Sequence, residues 1–249
     1  METTELRGQV ALITGGSRGI GAAIALHLAR DGADIAFTYE KSTEAANALV
    51  DRLKAAGVRA VAFRADQADA DAVTRMVDEV ADRFGAIDIL VNNAAVYRSG
   101  LMGSLAQSEV EHIWAVNVRG TVVATQEATR HMPDGGRVVV ISSGAAQRAS
   151  AAGFADYAAT KAAVTAYGRS WAHELAPRGI TVNTLVVGLA DTDMAVAPDS
   201  ELGKSILAGV PLRRYAAPDE IAAAVSFVAR PAASYLTGAE IRVDGGWNA

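Results

Sequence analysis

Short runs of β-branched residues alternate with longer alanine-rich amphipathic stretches from Val10 to about Val187. Parallel strands need long crossovers, usually helices, so this alternation is typical of repeated βα units. Continuous apolar runs such as 138–141 indicate strands that are covered on both faces. The pattern therefore predicts an α/β, doubly wound fold with a seven-stranded parallel sheet flanked by helices. The predicted strands are Val10–Thr14, Asp34–Tyr39, Arg59–Arg64, Ile87–Val91, Arg137–Ser142, Ile180–Val187 and Glu240–Val243.

No linker, internal repeat or low-complexity tract divides the chain, so residues 1–249 are predicted to form one domain. The least regular stretch, 188–218, follows the sixth strand and contains several helix-breaking residues. These are Pro198, Gly203, Gly209 and Pro211. We expect this stretch to be a flap that moves over a substrate site.

The composition excludes several kinds of site. Cysteine is absent, which excludes disulfides, thiolate metal centres and a cysteine nucleophile. The four histidines share no metal-ligand spacing, so no metal is expected. A formal net charge of −5 without a basic cluster argues against nucleic acid or an anionic membrane as the main partner. With a polar, acidic start and no apolar run of membrane-spanning length, the chain is expected to stay in the cytoplasm.

A glycine-rich segment, 14–21, lies where the first predicted strand passes into the first helix. Glycines allow the backbone to turn sharply and to approach a pyrophosphate, and the helix N-terminus offers free N–H groups. A glycine-rich turn without function is the alternative, but the strand-to-helix position favours dinucleotide binding. The predicted contacts are Gly15, Ser17, Arg18, Gly19, Ile20 and Gly21.

The spacing of these glycines resembles that of the short-chain dehydrogenase/reductase family, and further motifs follow downstream. Residues 92–95, Asn-Asn-Ala-Ala, resemble the family's Asn-Asn-Ala-Gly, and Asn117 stands in Asn-Val-Arg-Gly. Tyr157 and Lys161 form a YxxxK motif. The resemblance covers almost the whole chain and implies a Rossmann fold and a nicotinamide-dependent enzyme that interconverts carbonyls and alcohols. Ala95 replaces the family's usual glycine, and Val187 replaces the usual proline.

Carbonyl reduction requires a proton donor beside the carbon that accepts the hydride. Tyr157 and Lys161 are four residues apart in a helical stretch, so their side chains share one helix face. A nearby ammonium favours the phenolate, and we expect Lys161 to lower the pKa of Tyr157 by about 1–3 units. A surface tyrosine with an incidental lysine is the alternative.

Ser143 ends the fifth strand and is predicted to hydrogen-bond the substrate oxygen. Ser142 is the rival, but strand side chains alternate, so it is expected to point to the opposite face. The resemblance implies that Asn117 completes a catalytic tetrad by holding a water that links Lys161 to solvent. An asparagine satisfied within its own helix is the alternative.

The end of the second strand is predicted to select NADP(H). NAD-dependent members of the family usually have an aspartate where this chain has Tyr39. Donors and positive charge for a 2′-phosphate are predicted from Ser17, Arg18, Lys41 and Ser42. Glu40 is the counter-evidence, because it takes the acidic position if the strand ends one residue later. Arg18 is alternatively a solvated surface charge.

Further cofactor contacts follow from the resemblance alone. It implies that Asp66 contacts the adenine amino group, unless that residue instead caps the helix predicted over Asp69–Phe84. The remaining residues that the resemblance assigns to the cofactor are Asn93, Ala94, Gly188, Ala190 and Thr192.

An apolar pocket for a hydrophobic or aromatic ketone is predicted over the nicotinamide. Its candidate residues, each also compatible with ordinary core, are Tyr97, Phe154, Leu189, Met194 and Val196, with Ser143 at the reacting oxygen. We expect NADPH-dependent reduction of a ketone or 3-oxoacyl carbonyl to a secondary alcohol, in a reversible reaction. A dedicated 3-oxoacyl-acyl-carrier-protein reductase is the first alternative, and a non-catalytic dinucleotide-binding protein is the second.

The carrier-protein reductases of the family resemble this chain throughout. They dock an acidic carrier through arginines, and motif matching puts Asp134 and His173 at those two positions. We therefore expect a small free substrate, although Arg130, Arg137 and Arg169 lie nearby in the sequence. The resemblance also implies a homotetramer that packs through the helix after Tyr157 and the segment 241–247.

Overall fold

The computed structural model describes residues 5–148, 151–193, 195–197 and 199–249. The predicted seven-stranded parallel sheet is confirmed, with the strand order β3-β2-β1-β4-β5-β6-β7. The strands are β1 Val10–Ile13, β2 Asp34–Tyr39, β3 Ala60–Arg64, β4 Ile89–Asn92, β5 Arg137–Ser143, β6 Thr181–Val187 and β7 Glu240–Val243. Their ends differ from the predicted ones by at most two residues.

Helices cover both faces of the sheet. They are α1 Gly19–Arg30, α2 Thr43–Ala55, α3 Ala70–Phe84, α4 Gln107–Trp114, α5 Gly120–Arg130, α6 Ala155–Leu175, α7 Glu201–Ala208 and α8 Pro218–Ala229. Buried residues of α1, α2 and α8 form one core with the sheet, and those of α3, α5 and α6 form a second core on the other face. Val139 belongs to the first core, whereas Val138 and Val140 belong to the second. The apolar run in β5 therefore contributes side chains to both cores, because side chains alternate along a strand.

Local signals explain several helix ends. The carboxylate of Asp69 accepts hydrogen bonds from the amides of Asp71 and Ala72, which caps the N-terminus of α3. Gly85 ends that helix with φ +93°, a left-handed conformation that glycine adopts without strain. Between α4 and α5 the backbone forms a π-helical turn, Ala115–Arg119. None of the helices in the described part of the chain is long and apolar enough to cross a membrane.

The strand order reverses between β1 and β4, and this point positions the functional residues. In an open parallel sheet, ligands bind at the carboxyl ends of the strands where the order reverses. The glycine-rich segment follows β1, residues 93–97 follow β4, and Gly188 follows β6. The predicted site residues after these strands therefore meet at one edge of the sheet.

Candidate active site

The glycine-rich segment forms a tight loop that is held by the neighbouring strand. Gly15 has φ +65° and Gly19 has φ +54°, conformations that L side chains rarely adopt. The amide of Gly15 donates to Oγ1 of Thr38 (2.9 Å), and the amide of Gly16 donates to the Thr38 carbonyl (2.8 Å). Thr38 in β2 thus fixes the loop, a role that the sequence motif does not reveal.

Gly21 packs directly beneath this loop. A Cβ at Gly21 overlaps the Gly15 carbonyl oxygen and lies 2.6 Å from Nδ2 of Asn93 and 2.9 Å from Cα of Gly16. The loop therefore packs against α1 so closely that a side chain at Gly21 does not fit, and we call this loop the glycine cradle. Such a cradle beside the N-terminus of α1 fits the pyrophosphate of a dinucleotide.

Asn93 and Thr14 join β4 to β1 across the point where the strand order reverses. Nδ2 of Asn93 donates to the carbonyls of Thr14 (3.0 Å) and Gly15 (2.9 Å). Oγ1 of Thr14 accepts from the amides of Asn93 (3.0 Å) and Ala94 (3.1 Å). Asn93 and Ala94 therefore lie against the cradle. Thr14 is a residue that sequence reasoning missed, although it stands directly before the glycines.

Tyr157 and Lys161 lie one turn apart on α6, as the spacing predicts. Lys161 is only 4% exposed, and its Nζ donates to the Ile141 carbonyl (2.9 Å). The same Nζ lies 5.9 Å from the centroid of the Tyr157 ring. The ammonium is therefore held over the phenol ring by its hydrogen bond to β5.

The structure contradicts the prediction that the pKa of Tyr157 is lowered. Desolvation raises the pKa of Tyr157 to about 12, while a hydrogen bond with the Ser143 side chain acts in the opposite direction. Burial lowers the pKa of Lys161 to about 8. Because Lys161 is itself desolvated and points to a backbone carbonyl, it does not offset the desolvation of the phenol. At neutral pH Tyr157 is consequently a protonated acid.

The two serines at the end of β5 point to different places, as predicted. Ser143 is half-buried and faces Tyr157, and its Oγ also accepts from the Ala145 amide (3.2 Å). Ser142 is buried, and its hydroxyl bonds the Lys161 carbonyl (3.1 Å) and Oγ1 of Thr165 (2.8 Å). Ser142 therefore anchors α6 to β5, whereas Ser143 lies beside the phenol.

Asn117 lies in the π-helical turn and reaches across to the loop after β4. Its Oδ1 accepts from the Val96 amide (2.8 Å), and its Nδ2 donates to the Val96 carbonyl (3.0 Å) and to Oγ1 of Thr160 (3.1 Å). Oγ1 of Thr160 in turn donates to the Tyr157 carbonyl (2.7 Å). The alternative of an asparagine satisfied within its own helix is wrong, because these partners lie on other segments. Thr160 was not identified from the sequence.

The end of β2 carries the groups predicted to select the cofactor. The strand ends at Tyr39, so Glu40 lies beyond it and does not take the acidic position. Glu40 is exposed and pairs with Lys41 (2.9 Å). Ser42 occupies the N-cap position of α2 without a capping hydrogen bond of its side chain.

Arg18 occupies the N-cap position of α1 and pairs with Asp193 (3.1 Å). Thr192 approaches the same loop, since its Cγ2 lies 3.4 Å from the position of a Cβ at Gly19. Ser17 and Ile20 flank these residues and are partly buried. The segment after β6 therefore contacts the glycine loop at the entrance of the cradle. The contact between Asp193 and Arg18 was not indicated by the sequence.

Asp66 is exposed after β3, where its Oδ1 accepts from the Ala68 amide (2.8 Å). The alternative that Asp66 caps the following helix is wrong, because Asp69 takes that position. Its carboxylate is therefore available at the same edge of the sheet as the loop after β2.

An aromatic cluster surrounds the Tyr157 ring. The ring of Tyr97 lies 5.2 Å from that of Tyr157 in an edge-to-face arrangement and 5.3 Å from that of Phe154. Gly188, Leu189 and Ala190 are partly buried just beyond β6. Val196 accepts a hydrogen bond from the Tyr215 hydroxyl through its carbonyl (2.6 Å), and Met194 lies outside the described residues.

No cluster of three or more potential metal ligands occurs among the residues that the structure describes. The site therefore consists of a glycine cradle, a buried lysine, and adjacent serine and tyrosine hydroxyls. This donor set fits a dinucleotide and a proton transfer to oxygen.

Comparison with known proteins gives a consistent result. The family model described as "Enoyl-(Acyl carrier protein) reductase" matches residues 15–248. The 3-oxoacyl-[acyl-carrier-protein] reductase FabG of Staphylococcus aureus is 41% identical over 238 residues, which cover 95% of this chain and 96% of the relative. A short chain dehydrogenase from Burkholderia cenocepacia J2315, solved with NADP, has a TM-score of 0.96 at 46% identity and covers 98% of this chain and 100% of its own.

A blue fluorescent protein from a metagenomic library, solved in complex with NADPH, has the same TM-score of 0.96 at 45% identity, over 98% of this chain and 100% of its own. The matches thus span nearly the whole chain in both sequence and fold. Together with the YxxxK geometry and the glycine cradle, they show that this chain belongs to the short-chain dehydrogenase/reductase family of oxidoreductases.

Proposed function

We propose that the protein reduces a ketone to a secondary alcohol with NADPH, reversibly, and that Tyr157 is the general acid/base. The observation that carries this proposal is the pairing of the Tyr157 and Ser143 hydroxyls above a buried lysine, at the sheet edge that holds the glycine cradle. Bound NADPH supplies the hydride for the carbonyl carbon. The residues of the chain bind the dinucleotide, orient the carbonyl and supply the proton.

The proton is held where reduction needs it. With a pKa of about 12, Tyr157 keeps its proton at neutral pH and can donate it to an oxygen that becomes an alkoxide. Ser143 lies close enough to that phenol to lower its pKa, and so can orient the same substrate oxygen. Alcohol oxidation requires the phenolate, which the desolvated site disfavours.

We assign NADP(H) rather than NAD(H) to the cradle. Tyr39 ends β2 without a carboxylate, and Ser17, Arg18, Lys41 and Ser42 lie in the adjacent loops. A 2′-phosphate attracts such groups and is repelled by an uncompensated carboxylate. Structural relatives solved with NADP or NADPH support the assignment. The other cofactor contacts that we propose are Gly15, Gly19, Ile20, Gly21, Asp66, Asn93, Ala94, Lys161, Gly188, Ala190 and Thr192.

The substrate that we propose is a small hydrophobic or aromatic ketone. Tyr97 and Phe154 place aromatic surface next to Tyr157, and Leu189 extends the apolar surface beyond β6. The segment 188–218 is the flap in this proposal, within a single domain of residues 1–249. A bridge between Ala190 and Ala216 joins the two ends of this segment.

A carrier-bound substrate is less favoured, because the basic residues near the predicted docking positions are already occupied. Asp134 pairs with Arg178 (3.2 Å), Arg130 pairs with Glu127 (2.7 Å), and Arg169 pairs with Glu240. Arg137 is buried at the start of β5. Positive charge that is paired within the chain gives little steering of an acidic protein.

We also propose a homotetramer in which α6 and the segment 241–247 pack between subunits. Several large aromatic side chains are exposed, namely Trp114 on α4, Tyr167 on α6, Phe227 on α8 and Tyr235 in the turn beyond α8. Exposed aromatic surface of this kind is typical of subunit interfaces. The molar mass from light scattering checks this assignment against the 25.7 kDa of one chain.

The experiment that tests the function compares Tyr157→Phe with Tyr97→Phe. Both variants lose one hydroxyl from rings that are 5.2 Å apart, so Tyr97→Phe controls for repacking of the aromatic cluster. NADPH affinity is measured by fluorescence titration, and turnover is measured with a panel of ketones by the loss of nicotinamide absorbance. We expect kcat to fall about 10²–10⁴-fold in Tyr157→Phe, with NADPH still bound, and to change far less in Tyr97→Phe. Retention of more than about a tenth of kcat in Tyr157→Phe contradicts the assignment of the acid.

A further inference from the structure

The ion pair between Arg18 and Asp193 lies at the entrance of the cradle. Nη1 of Arg18 donates to Oδ2 of Asp193 at 3.1 Å, and the two side chains are 63% and 73% exposed. The pair joins the loop after β1 to the segment after β6, 175 residues away in the chain. Thr192, the neighbour of Asp193, contacts the same loop near Gly19.

Arg18 therefore has two anionic partners available, one within the chain and one on the cofactor. A phosphate monoester carries about −1.5 to −2 charges near pH 7, and arginine binds it through its planar set of N–H donors. A carboxylate that already occupies Nη1 withholds a donor from that phosphate and adds a like charge beside it. NADH has an uncharged 2′-hydroxyl at this position, so it does not compete with Asp193 for Arg18.

We propose that Asp193 is a specificity-determining residue that competes with the 2′-phosphate of NADPH for Arg18. This inference rests on the proposed function, in which Arg18 contacts that phosphate. Asp193 lowers the preference for NADPH over NADH by holding Arg18, and NADPH binding breaks the ion pair between Arg18 and Asp193.

The size of the effect follows from the exposure of the pair. Exposed ion pairs change an equilibrium constant by a factor of only about 1.5–5, so breaking this pair does not prevent NADPH binding. Charge-assisted hydrogen bonds to the phosphate are stronger, so the cofactor wins the competition. Glu40 pairs with Lys41, which is also proposed for the phosphate, but this pair is the same in every variant compared. Asp191 makes no ion pair within the described residues.

The test is a direct titration of NADPH and NADH, followed by cofactor fluorescence, in wild type and in Asp193→Asn. The variant keeps the shape of the side chain and removes its charge, and both partners are exposed, so the fold is not at risk. We expect NADPH to bind about two- to fivefold more tightly in Asp193→Asn at low salt, with NADH unchanged, and the gain to shrink as salt rises. Asp191→Asn is the matched control, because it removes the same charge from the same exposed segment without touching Arg18.

Arg18→Ala separates this inference from the function on which it rests. In the Arg18→Ala background, Asp193→Asn should bring a much smaller gain in NADPH affinity, because only the removal of a like charge remains. Weaker NADPH binding in Asp193→Asn, equal tightening of both cofactors, or an equal gain in Asp191→Asn overturns the inference and leaves the NADPH assignment intact. If Arg18→Ala weakens NADPH and NADH equally, the role of Arg18 in the proposed function is itself wrong.

Discussion

Gly21→Ala tests whether the glycine cradle is as close-packed as the structure indicates. Alanine is favoured over glycine inside a helix by about 1 kcal/mol, and Gly21 lies in α1, so propensity alone predicts a more stable protein. The added Cβ, however, overlaps the Gly15 carbonyl and lies 2.6 Å from Nδ2 of Asn93. Relief of that overlap must move the loop away from Asn93, whose Nδ2 donates to the Gly15 carbonyl at 2.9 Å.

The relative sizes of these effects decide whether the variant is more or less stable than wild type. Overpacking a dense site costs about 1–3 kcal/mol, and the loss of one hydrogen bond adds about 0.5–1.5 kcal/mol. After subtraction of the helix propensity, Gly21→Ala should be less stable by about 0.5–3.5 kcal/mol. Because the displaced loop is the one proposed to hold the pyrophosphate, NADPH binding should weaken at least about tenfold.

Urea unfolding and NADPH titration measure the two effects separately. Ala22→Gly is the matched control, since it changes the neighbouring position of the same helix in the opposite sense. It should lose about 1 kcal/mol of stability and bind NADPH as wild type does. A Gly21→Ala protein that is as stable as wild type and binds NADPH with unchanged affinity refutes the reasoning.

Three further outcomes are expected. Ser143→Ala should lower kcat with little change in stability. Ser142→Ala should instead lower the urea midpoint, because only Ser142 has buried hydrogen bonds to α6. The reverse result contradicts the assignment of the two serines. Burial lowers the pKa of Lys161 from 10.5 to about 8, so between these values the unfolded chain binds the extra proton and stability rises with pH. Between pH 7 and 9.5, the free energy of unfolding of wild type should rise by about 2 kcal/mol relative to that of Lys161→Met, as measured by urea unfolding. If the difference between the two proteins does not change with pH, the pKa of Lys161 is not lowered. A carrier-bound 3-oxoacyl substrate should have no higher kcat/KM than a small free analogue, and this kcat/KM should depend little on salt. A much higher kcat/KM for the carrier-bound substrate at low salt, which falls as salt rises, instead supports a dedicated carrier-protein reductase.

Local patterns in the sequence were sufficient for the architecture. The alternation of strand-like and helix-like periods predicted all seven strands, whereas the order of the strands in the sheet came from the structure. The opposite orientations of Ser142 and Ser143 followed from strand alternation, and the shared face of Tyr157 and Lys161 followed from helix spacing. These features depend on residues close together in the chain, so a pattern of a few residues determines them.

Only the tertiary structure decided how strongly the site groups are charged and which groups they contact. The sequence predicted a lowered pKa for Tyr157, but the desolvation that raises it comes from segments far apart in the chain. The Ile141 carbonyl that holds Lys161 lies 20 residues away, and Asp193 lies 175 residues from Arg18. Burial and long-range pairing depend on the packing of the whole sheet and its helices, and for that reason no local pattern reports them.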